Sequence, residues 1–531
     1  MSHLLVFAVA VPMLTAVVAI VAEASLDGGE VRASSPRALT TVRAISWVGL
    51  LALLAVAIGM VVQVEGGDIV VYRLGNWPSP FAIVFVLDRM SALMVAMTSL
   101  LAVFVALAAR GPFEAQGRYF HGLLQLQLMG LSGAFLTGDL FNLFVFFEIL
   151  LIASYGLLLF GGGTERLSAG FTYILLNLVG SGLFLVAVGT LYGVLGTLNM
   201  ADIGVRAAAA DPADVPLLRT AALLLVIVFA LKGAVAPIHL WLPKTYGAAI
   251  APVAALFAVM TKVGLYAIVR TVPVSFGPLL FPEGLGATNL LTQWLMPGAL
   301  LTLVLATLGA AAAPGLKQFV CFLVLASVGM VGLGFGLFTP AGFTAGIYYM
   351  VHSTIVLAAF FLLADLVARE RGPLRDRLTA GPQPEHAREL SVLFLLLAAA
   401  AVGLPPLSGF IGKYLVLVAA WELPWARSQI WITIIATSFV SLVVMSRVGS
   451  VLFWNVGVVE PPESDEFAVQ RRDFLPTYGL LAVAVLLAAL AEPVGRYAEA
   501  TALQLLDRDT YIDRVMNDRE PTPRALEEAG R

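Results

Sequence analysis

Three lysines, Lys232, Lys262 and Lys413, one glutamate, Glu148, and two histidines, His239 and His352, stand inside long apolar runs of the chain. A charge at the middle of a bilayer costs between ~3 and well over 10 kcal/mol, so ionisable groups at such depth are retained for a purpose. Amine, carboxylate and imidazole share one chemistry, the taking up and giving back of a proton. Glu148 lies in Leu143-Phe144-Val145-Phe146-Phe147-Glu148-Ile149-Leu150-Leu151 with no partner nearby in sequence, so its cation must come from another helix, and Lys232 is the candidate. Asp139, nine residues earlier, reads as a helix-start residue with a secondary place in a relay. The chain has 26 arginines and five lysines; Lys244 and Lys317 stand at the edges of apolar runs and the other three inside them. Arginine stays protonated, whereas a buried lysine can release its proton. The usage therefore puts the titratable cation inside and the permanent one outside, with Arg89 as the main exception. Lys317 is either a boundary residue or a relay member. His239 follows Lys232 by seven residues, on one helix face if the helix continues. His3, His121 and His386, at ends or loops, receive no role.

The elements that must hold these groups follow from composition. The chain has 531 residues, 60% hydrophobic and 12% charged, with a mean hydropathy of +0.93. Soluble domains carry roughly 45–50% apolar and ~25% charged residues, so a water-soluble enzyme is excluded. A net charge of −3 without a basic block excludes nucleic-acid binding. The single cysteine, Cys321, excludes a disulfide framework. There is no phosphate-binding G-x-x-x-x-G-K-[ST], no dinucleotide G-x-G-x-x-G after a strand and no Cys/His cluster, so no cofactor is expected and the energy must come from an ion gradient or a partner subunit. No carboxylate cluster within the spans resembles a sodium cage, and the metal-ion route is left open.

At ~20 apolar residues per crossing, the sequence predicts an all-α polytopic membrane protein with about fourteen spans: 3–22, 44–63, 81–109, 121–138, 140–160, 167–195, 217–240, 249–271, 291–312, 316–338, 342–368, 390–420, 428–455 and 474–492. Long continuous runs exclude a β-barrel. The first run ends in Ala22-Glu23-Ala24, similar to a cleavage site, but lacks a preceding Lys or Arg and is read as a retained span. With the N-terminus outside, sixteen basic residues fall in cytoplasmic loops and span ends against five opposite. Residues 493–531 form a polar tail, read as an interfacial or partner-docking helix or as a solvated segment. Gly189-x-x-x-Gly193 reads as close helix packing.

Two spans are interrupted, at Lys232-Gly233-Ala234-Val235-Ala236-Pro237-Ile238-His239-Leu240-Trp241-Leu242-Pro243 and at Gly403-Leu404-Pro405-Pro406-Leu407-Ser408-Gly409-Phe410-Ile411-Gly412-Lys413. Proline frees carbonyls that are tolerated at membrane depth only where they face protein, water or an ion. Paired broken helices in corresponding halves mark inverted-repeat transporters. The organisation predicted is helices 1–3 in 1–120, a first five-helix repeat in 121–271, a second, inverted one in 291–455, helix 14 in 474–492, and the tail.

These two runs, with Thr137-Gly138-Asp139-Leu140-Phe141-Asn142-Leu143-Phe144-Val145-Phe146-Phe147-Glu148 and Met260-Thr261-Lys262-Val263-Gly264-Leu265-Tyr266, resemble the antiporter-like proton-translocating subunits shared by multisubunit Na⁺/H⁺ antiporters (Mrp/Mnh/Pha type) and respiratory complex I. The resemblance covers essentially the whole chain and is strongest to the D-type subunits of the antiporters. It implies a secondary ion transporter subunit, not an enzyme, working with A, B, C, E, F and G type subunits on protons and monovalent cations, Na⁺ first; the composition, rich in Ala, Gly, Leu and Arg, suggests a bacterial inner membrane. It also implies that Glu148 and Lys232 form a coupling ion pair, that Lys262 is the central proton-loading lysine, that His352 belongs to the chain beyond it, and that Lys413 is the exit-side group. Relatives often carry a lysine just after the His352 region, where this chain reads Thr354-Ile355-Val356-Leu357-Ala358, which gives His352 more of the burden together with water. The complex I subunit nearest to the D type carries a glutamate where Lys413 stands, which favours the antiporter. An ion pair at ~4 Å and an effective dielectric near ~20 is worth about 4 kcal/mol, enough to make the Glu148–Lys232 pair an electrostatic switch on Lys262. The alternatives are a proton-pumping subunit of a redox complex and a mainly structural subunit.

Overall fold

A computed structural model of the chain describes residues 3–26, 35–111, 113–281, 290–455, 457 and 469–517. In lipid the backbone must satisfy its own hydrogen bonds, and the apolar runs do so as helices. The first are α1 (His3–Leu26) and α2 (Pro36–Val64), which lie side by side. Ser35 caps α2 by accepting the Ala38 N–H at 3.3 Å, with Pro36 at the first helical position, where its missing N–H costs nothing. The third span does not begin at residue 81. Val84–Leu87 instead forms strand β2, antiparallel to β1 (Val70–Arg73) with Val70 opposite Leu87 and Arg73 opposite Val84. A β-branched and aromatic stretch too short for a span pairs as a hairpin, the one exception to an all-helical chain among the described residues. Asp88 then starts α3 (Arg89–Ala109) with a reciprocal capping box to Ser91.

Next come α4 (Phe120–Leu136) and α5 (Leu140–Leu159), separated by the expected short junction. Asp139 caps α5, its carboxylate accepting the Asn142 N–H at 2.9 Å. The chain continues through α6 (Thr164–Leu195), α7 (Met200–Ala208) and α8 (Val215–Lys232). Gly138 N–H donates to Val84 O and Met200 N–H to Gly138 O, each at 2.9 Å, so backbone pairs stitch the hairpin to the α4–α5 and α6–α7 junctions on one face of the bundle. Gly189 and Gly193 pack against nothing in the chain; a Cβ at either meets open space, so the expected close helix contact is not made here.

Beyond α8 the run breaks and resumes as α9 (Trp241–Ala248), α10 (Ala251–Phe257), α11 (Met260–Thr271) and α12 (Gly277–Leu280). The span expected to be continuous over 249–271 is itself interrupted at Ala258-Val259, where the N–H groups of Ala258, Val259 and Lys262 bond three residues back and tighten the turn. The second half comprises α13 (Leu290–Ala312), α14 (Leu316–Gly336), α15 (Pro340–Glu370), the broken pair α16 (Ala387–Val402) and α17 (Ser408–Ala419), then α18 (Pro424–Phe453) and α19 (Leu475–Ala489). Twelve helical segments among the described residues are long and apolar enough to cross a membrane; α4, at 17 residues, and the broken α16–α17 run fall short of that length. The run 251–280, α14 and α15 form the most deeply buried part of the molecule.

Over its described part the tail is helical and packs one face on the chain itself. α20 (Ala491–Leu506) buries Ala498, Thr501, Ala502 and Leu505 on one stripe, and α21 (Arg508–Asn517) buries Tyr511 and Val515. These apolar stripes dock on the chain itself, α20 on α15 and α3, α21 on α7 and the hairpin. Tyr497 Oη donates to Arg89 O at 2.9 Å, and Gln504 Nε2 to Gly67 O at 2.9 Å. The remaining residues of the tail, 518–531, lie outside the described ones.

Candidate functional site

The two breaks are built alike from backbone groups that a helix would have used. At the first, Lys232 is the last residue of α8, Val235 N–H reaches back to Ala230 O at 2.9 Å, and Trp241 Nε1 donates to Leu231 O at 3.2 Å. Thr302 on α13 accepts the Ala236 N–H at 2.8 Å. At the second, the N–H groups of Gly403 and Leu404 both turn back to Ala399 O, at 3.1 and 2.9 Å. Lys413 on α17 donates to Val402 O at 2.7 Å, so its ammonium sits at the carbonyl end of α16, the negative end of that half-helix. It also donates to Ser438 Oγ on α18 at 2.9 Å.

Lys262 lies in the first turn of α11, immediately after the tight turn, and is wholly buried. Its ammonium donates to Ser327 Oγ on α14 at 2.7 Å and more distantly to Thr261 Oγ1 at 3.3 Å. Two residues on, Gly264 lets α11 touch the first break: a Cβ there would stand 2.4 Å from Gly233 N and 2.5 Å from Phe229 O. Ser327 also lines a cavity of about 30 Å³ shared with His352, Ser353, Lys413, Thr437 and Ser441. A water needs about 10–15 Å³ of such space and several polar partners, so this cavity has room for about two. His352 on α15 bonds through Nδ1 to Ser408 Oγ at 2.8 Å, across to the start of α17. Gly409 makes that approach possible, since a Cβ there would lie 2.9 Å from His352 Nε2 and 1.9 Å from Ala400 O.

Glu148 on α5 is half-buried and accepts a hydrogen bond from Ser181 Oγ on α6. Lys232 is buried, its Nζ 4.9 Å from the Phe147 ring centroid and without a hydrogen-bond partner. The expected Glu148–Lys232 pair is therefore not in hydrogen-bonded contact here, and the carboxylate is held by a serine instead. His239 is buried with an unpartnered Nδ1, but it lies beyond the break, so the seven-residue register with Lys232 does not exist. Lys317, second residue of α14, donates through Nζ to Ala249 O and through its N–H to Asp376 Oδ2 at 2.9 Å, at the opposite face from the hairpin. Asp139 stays at its cap.

The sequence reading missed the serines. Ser181, Ser327, Ser408 and Ser438 each contact one of Glu148, Lys262, His352 and Lys413 from a neighbouring element. A serine in an apolar helix ordinarily bonds its own preceding carbonyl, so nothing in the sequence set these four apart. The reading of arginine as an outside residue also needs correction. Arg270 is 3% exposed, and its Nη2 donates to Asp88 Oδ1 at 2.7 Å, with Tyr266 and Tyr511 rings beside it. A permanent charge is tolerated inside because a carboxylate is fixed to it. Arg371, 1% exposed, spends its guanidinium on the carbonyls of Arg377 and Thr379. Arg89, the expected exception, is only half-buried and donates to Glu65 O at 2.6 Å.

The family described as NADH:quinone oxidoreductase/Mrp antiporter, transmembrane, matches residues 137–443, which contain Asp139, Glu148, Lys232, His239, Lys262, Lys317, His352 and Lys413. Among curated proteins, the chain is 38% identical to the probable D subunit of a K(+)/H(+) antiporter from Rhizobium meliloti, covering 84% of this chain and 86% of that one. It is 35% identical to the D subunit of a Na(+)/H(+) antiporter from Alkalihalophilus pseudofirmus over 90% and 94% of the two chains. Among solved structures, a chain of the Mrp complex from Dietzia sp. superposes with a TM-score of 0.82 at 29% identity, covering 97% of this chain and 99% of that one. With lysine-bearing broken helices in place and relatives matched along most of its length, the chain belongs to the NADH:quinone oxidoreductase/Mrp antiporter transmembrane family.

Proposed function

We propose that the chain is the proton-translocating, D-type subunit of a multisubunit monovalent cation/proton antiporter. The observation that carries this reading is the cavity that joins Lys262, through Ser327, to His352 and Lys413. A proton taken up in the first repeat loads Lys262, crosses by Ser327 and cavity water to His352 and leaves by Lys413. His352 lines the cavity while Ser408 fixes its Nδ1. The Glu148–Lys232 pair is the switch. With Glu148 hydrogen-bonded to Ser181 and Lys232 without a hydrogen-bond partner, the Lys232 charge is only partly offset by Glu148 and disfavours positive charge on Lys262; closing the pair weakens that repulsion. His239, Lys317 and Asp139 are secondary relay groups.

This reading places the chain in a bacterial inner membrane with its N-terminus outside, as fourteen spans with two inverted five-helix repeats, beside A, B, C, E, F and G type subunits. The docked tail lies on the face of the Arg-poor loops, in keeping with that orientation. Relatives named for K⁺ and for Na⁺ leave both cations as candidates. The test is collapse of an imposed pH gradient by Na⁺, K⁺ or Li⁺ in everted vesicles of an antiporter-deficient strain. We expect exchange only when this chain is expressed with its partner subunits. Glu148→Ala and Lys232→Ala are expected to abolish exchange with the complex assembled, and Glu148→Asp to keep part of it; near-normal exchange by either alanine variant removes the switch. Co-purification of flavin or iron–sulfur proteins would move the chain to a redox pump.

A further inference from the structure

On the face opposite the hairpin, the ends of α5, α6, α9 and α14 and the loop after α15 surround a groove of about 1030 Å³. Five basic residues line it: Arg166, Lys244, Lys317, Arg375 and Arg377. Only Glu165 and Asp376 bring negative charge, and the Asp376 carboxylate is already committed to the Lys317 backbone N–H. None of the five forms an ion pair within 4.0 Å among the described residues. Some basic residues elsewhere, Arg43, Arg206, Arg270 and Arg369, do have a carboxylate partner. Arg166 and Lys317 point at carbonyls, of Phe160 and Ala249, and Arg375 and Arg377 are exposed. A concave site with five cations against two lining carboxylates, none of them in an ion pair, carries an excess of positive charge and is complementary to an anion.

The groove also has a floor and an exit suited to one kind of anion. Its loop, Gly161-Gly162-Gly163, has φ of +79°, +68° and +105°, and the Cβ positions of the last two are open, leaving room beside the N-terminus of α6. From that rim the outer face of α6 runs down as Leu167, Phe171, Leu175 and Leu178, 65%, 70%, 51% and 66% exposed. Lys244 bridges the two parts, donating to Thr172 Oγ1 on α6 at 3.3 Å. A headgroup in the groove thus has an apolar track for its acyl chains directly beneath it.

We propose that this groove binds the phosphodiester headgroup of an anionic phospholipid, with the acyl chains lying along the exposed face of α6. Phosphate is the shared chemistry of a lipid and a free anion; the track along α6 favours the lipid, as basic pockets between membrane helices do. The test uses the purified, delipidated antiporter complex containing this chain, as wild type, as Arg375→Gln/Arg377→Gln and as Arg375→Lys/Arg377→Lys. Its melting temperature is followed on adding dioleoyl-phosphatidylglycerol, tetraoleoyl-cardiolipin, dioleoyl-phosphatidylcholine or inorganic phosphate. Phosphatidylglycerol or cardiolipin should raise the melting temperature of the wild type and the lysine variant, and most of that rise should vanish in the glutamine variant, with phosphatidylcholine and inorganic phosphate inactive. An equal rise with phosphatidylcholine, or an undiminished rise in the glutamine variant, overturns the proposal. An equal rise with inorganic phosphate overturns the lipid and makes the groove a free-anion site.

Discussion

Ser327→Ala isolates the step from Lys262 into the cavity. The hydroxyl is the closest partner of the buried ammonium, at 2.7 Å; the alternative, Thr261 Oγ1, is 3.3 Å away on the same helix. Ser327 Oγ also donates to Val324 O at 2.6 Å, so it is held in place to accept from the lysine. A hydrogen bond to a charged group is worth about 1.5–3 kcal/mol. At about 1.4 kcal/mol per factor of ten, its loss should slow exchange roughly 10- to 100-fold if the proton passes this point in the slow step. Ser327→Thr keeps the hydroxyl, and the adjoining cavity has space for its methyl group, so it should restore most of the rate. The assay is cation-induced recovery of a pH-sensitive dye in everted vesicles, normalised to the amount of assembled complex. Ser327→Ala running at the wild-type rate with normal assembly would refute the idea that protons leave Lys262 by this hydroxyl.

Lys262→Arg and Lys413→Arg keep the charge but not the ability to release a proton, and each should assemble yet lose exchange in the same assay. Gly264→Ala places a methyl group against Gly233 N and Phe229 O, backbone that cannot step aside, and should cost about 1–3 kcal/mol, read as a lower melting temperature of the complex. Glu114 lies in the α3–α4 loop, where burial opposes its charge but His121, Arg43 and the Gly111 N–H outweigh it and hold its carboxyl below the ordinary range. A carboxylate depressed in this way stabilises the fold fully above its ordinary value of 4.5 and loses that contribution as pH falls through the lower folded value. Glu114→Gln should therefore lower the melting temperature at neutral pH and flatten its fall below pH 4.5, measured by melting across a pH series.

Much of this architecture was legible because a lysine or glutamate inside an apolar run is conspicuous in one dimension, and because proline with glycine announces a broken helix. What could not be read depended on the third dimension or on local hydrogen bonding. Arg270 looks like a span-end arginine until Asp88, 182 residues away, is seen beside it. The turn before Lys262 carries neither proline nor glycine, only Ala258 and Val259 bonded three residues back. The hairpin hides in an apolar stretch that counts toward a span on hydropathy alone. The serines are silent because each is one hydroxyl among many, distinguished only by what the next helix presents to it. Lys232 shows the converse limit: its type and place are visible, but whether it touches Glu148 is a matter of side-chain arrangement.

The return of α20 and α21 onto the hairpin bears on how such a chain comes to be made. Arg73 Nη2 and Ser79 Oγ both donate to Val515 O, at 3.1 and 2.9 Å, and Arg508 Nη2 to Gly204 O at 2.7 Å. Segments inserted early thus wait for a segment translated after every span before their outer surface is closed. Ribosome stalling or proteolytic trimming between residues 490 and 507 would leave a fully inserted bundle whose earliest strands have no lid, a defect open to a quality-control protease outside the bilayer.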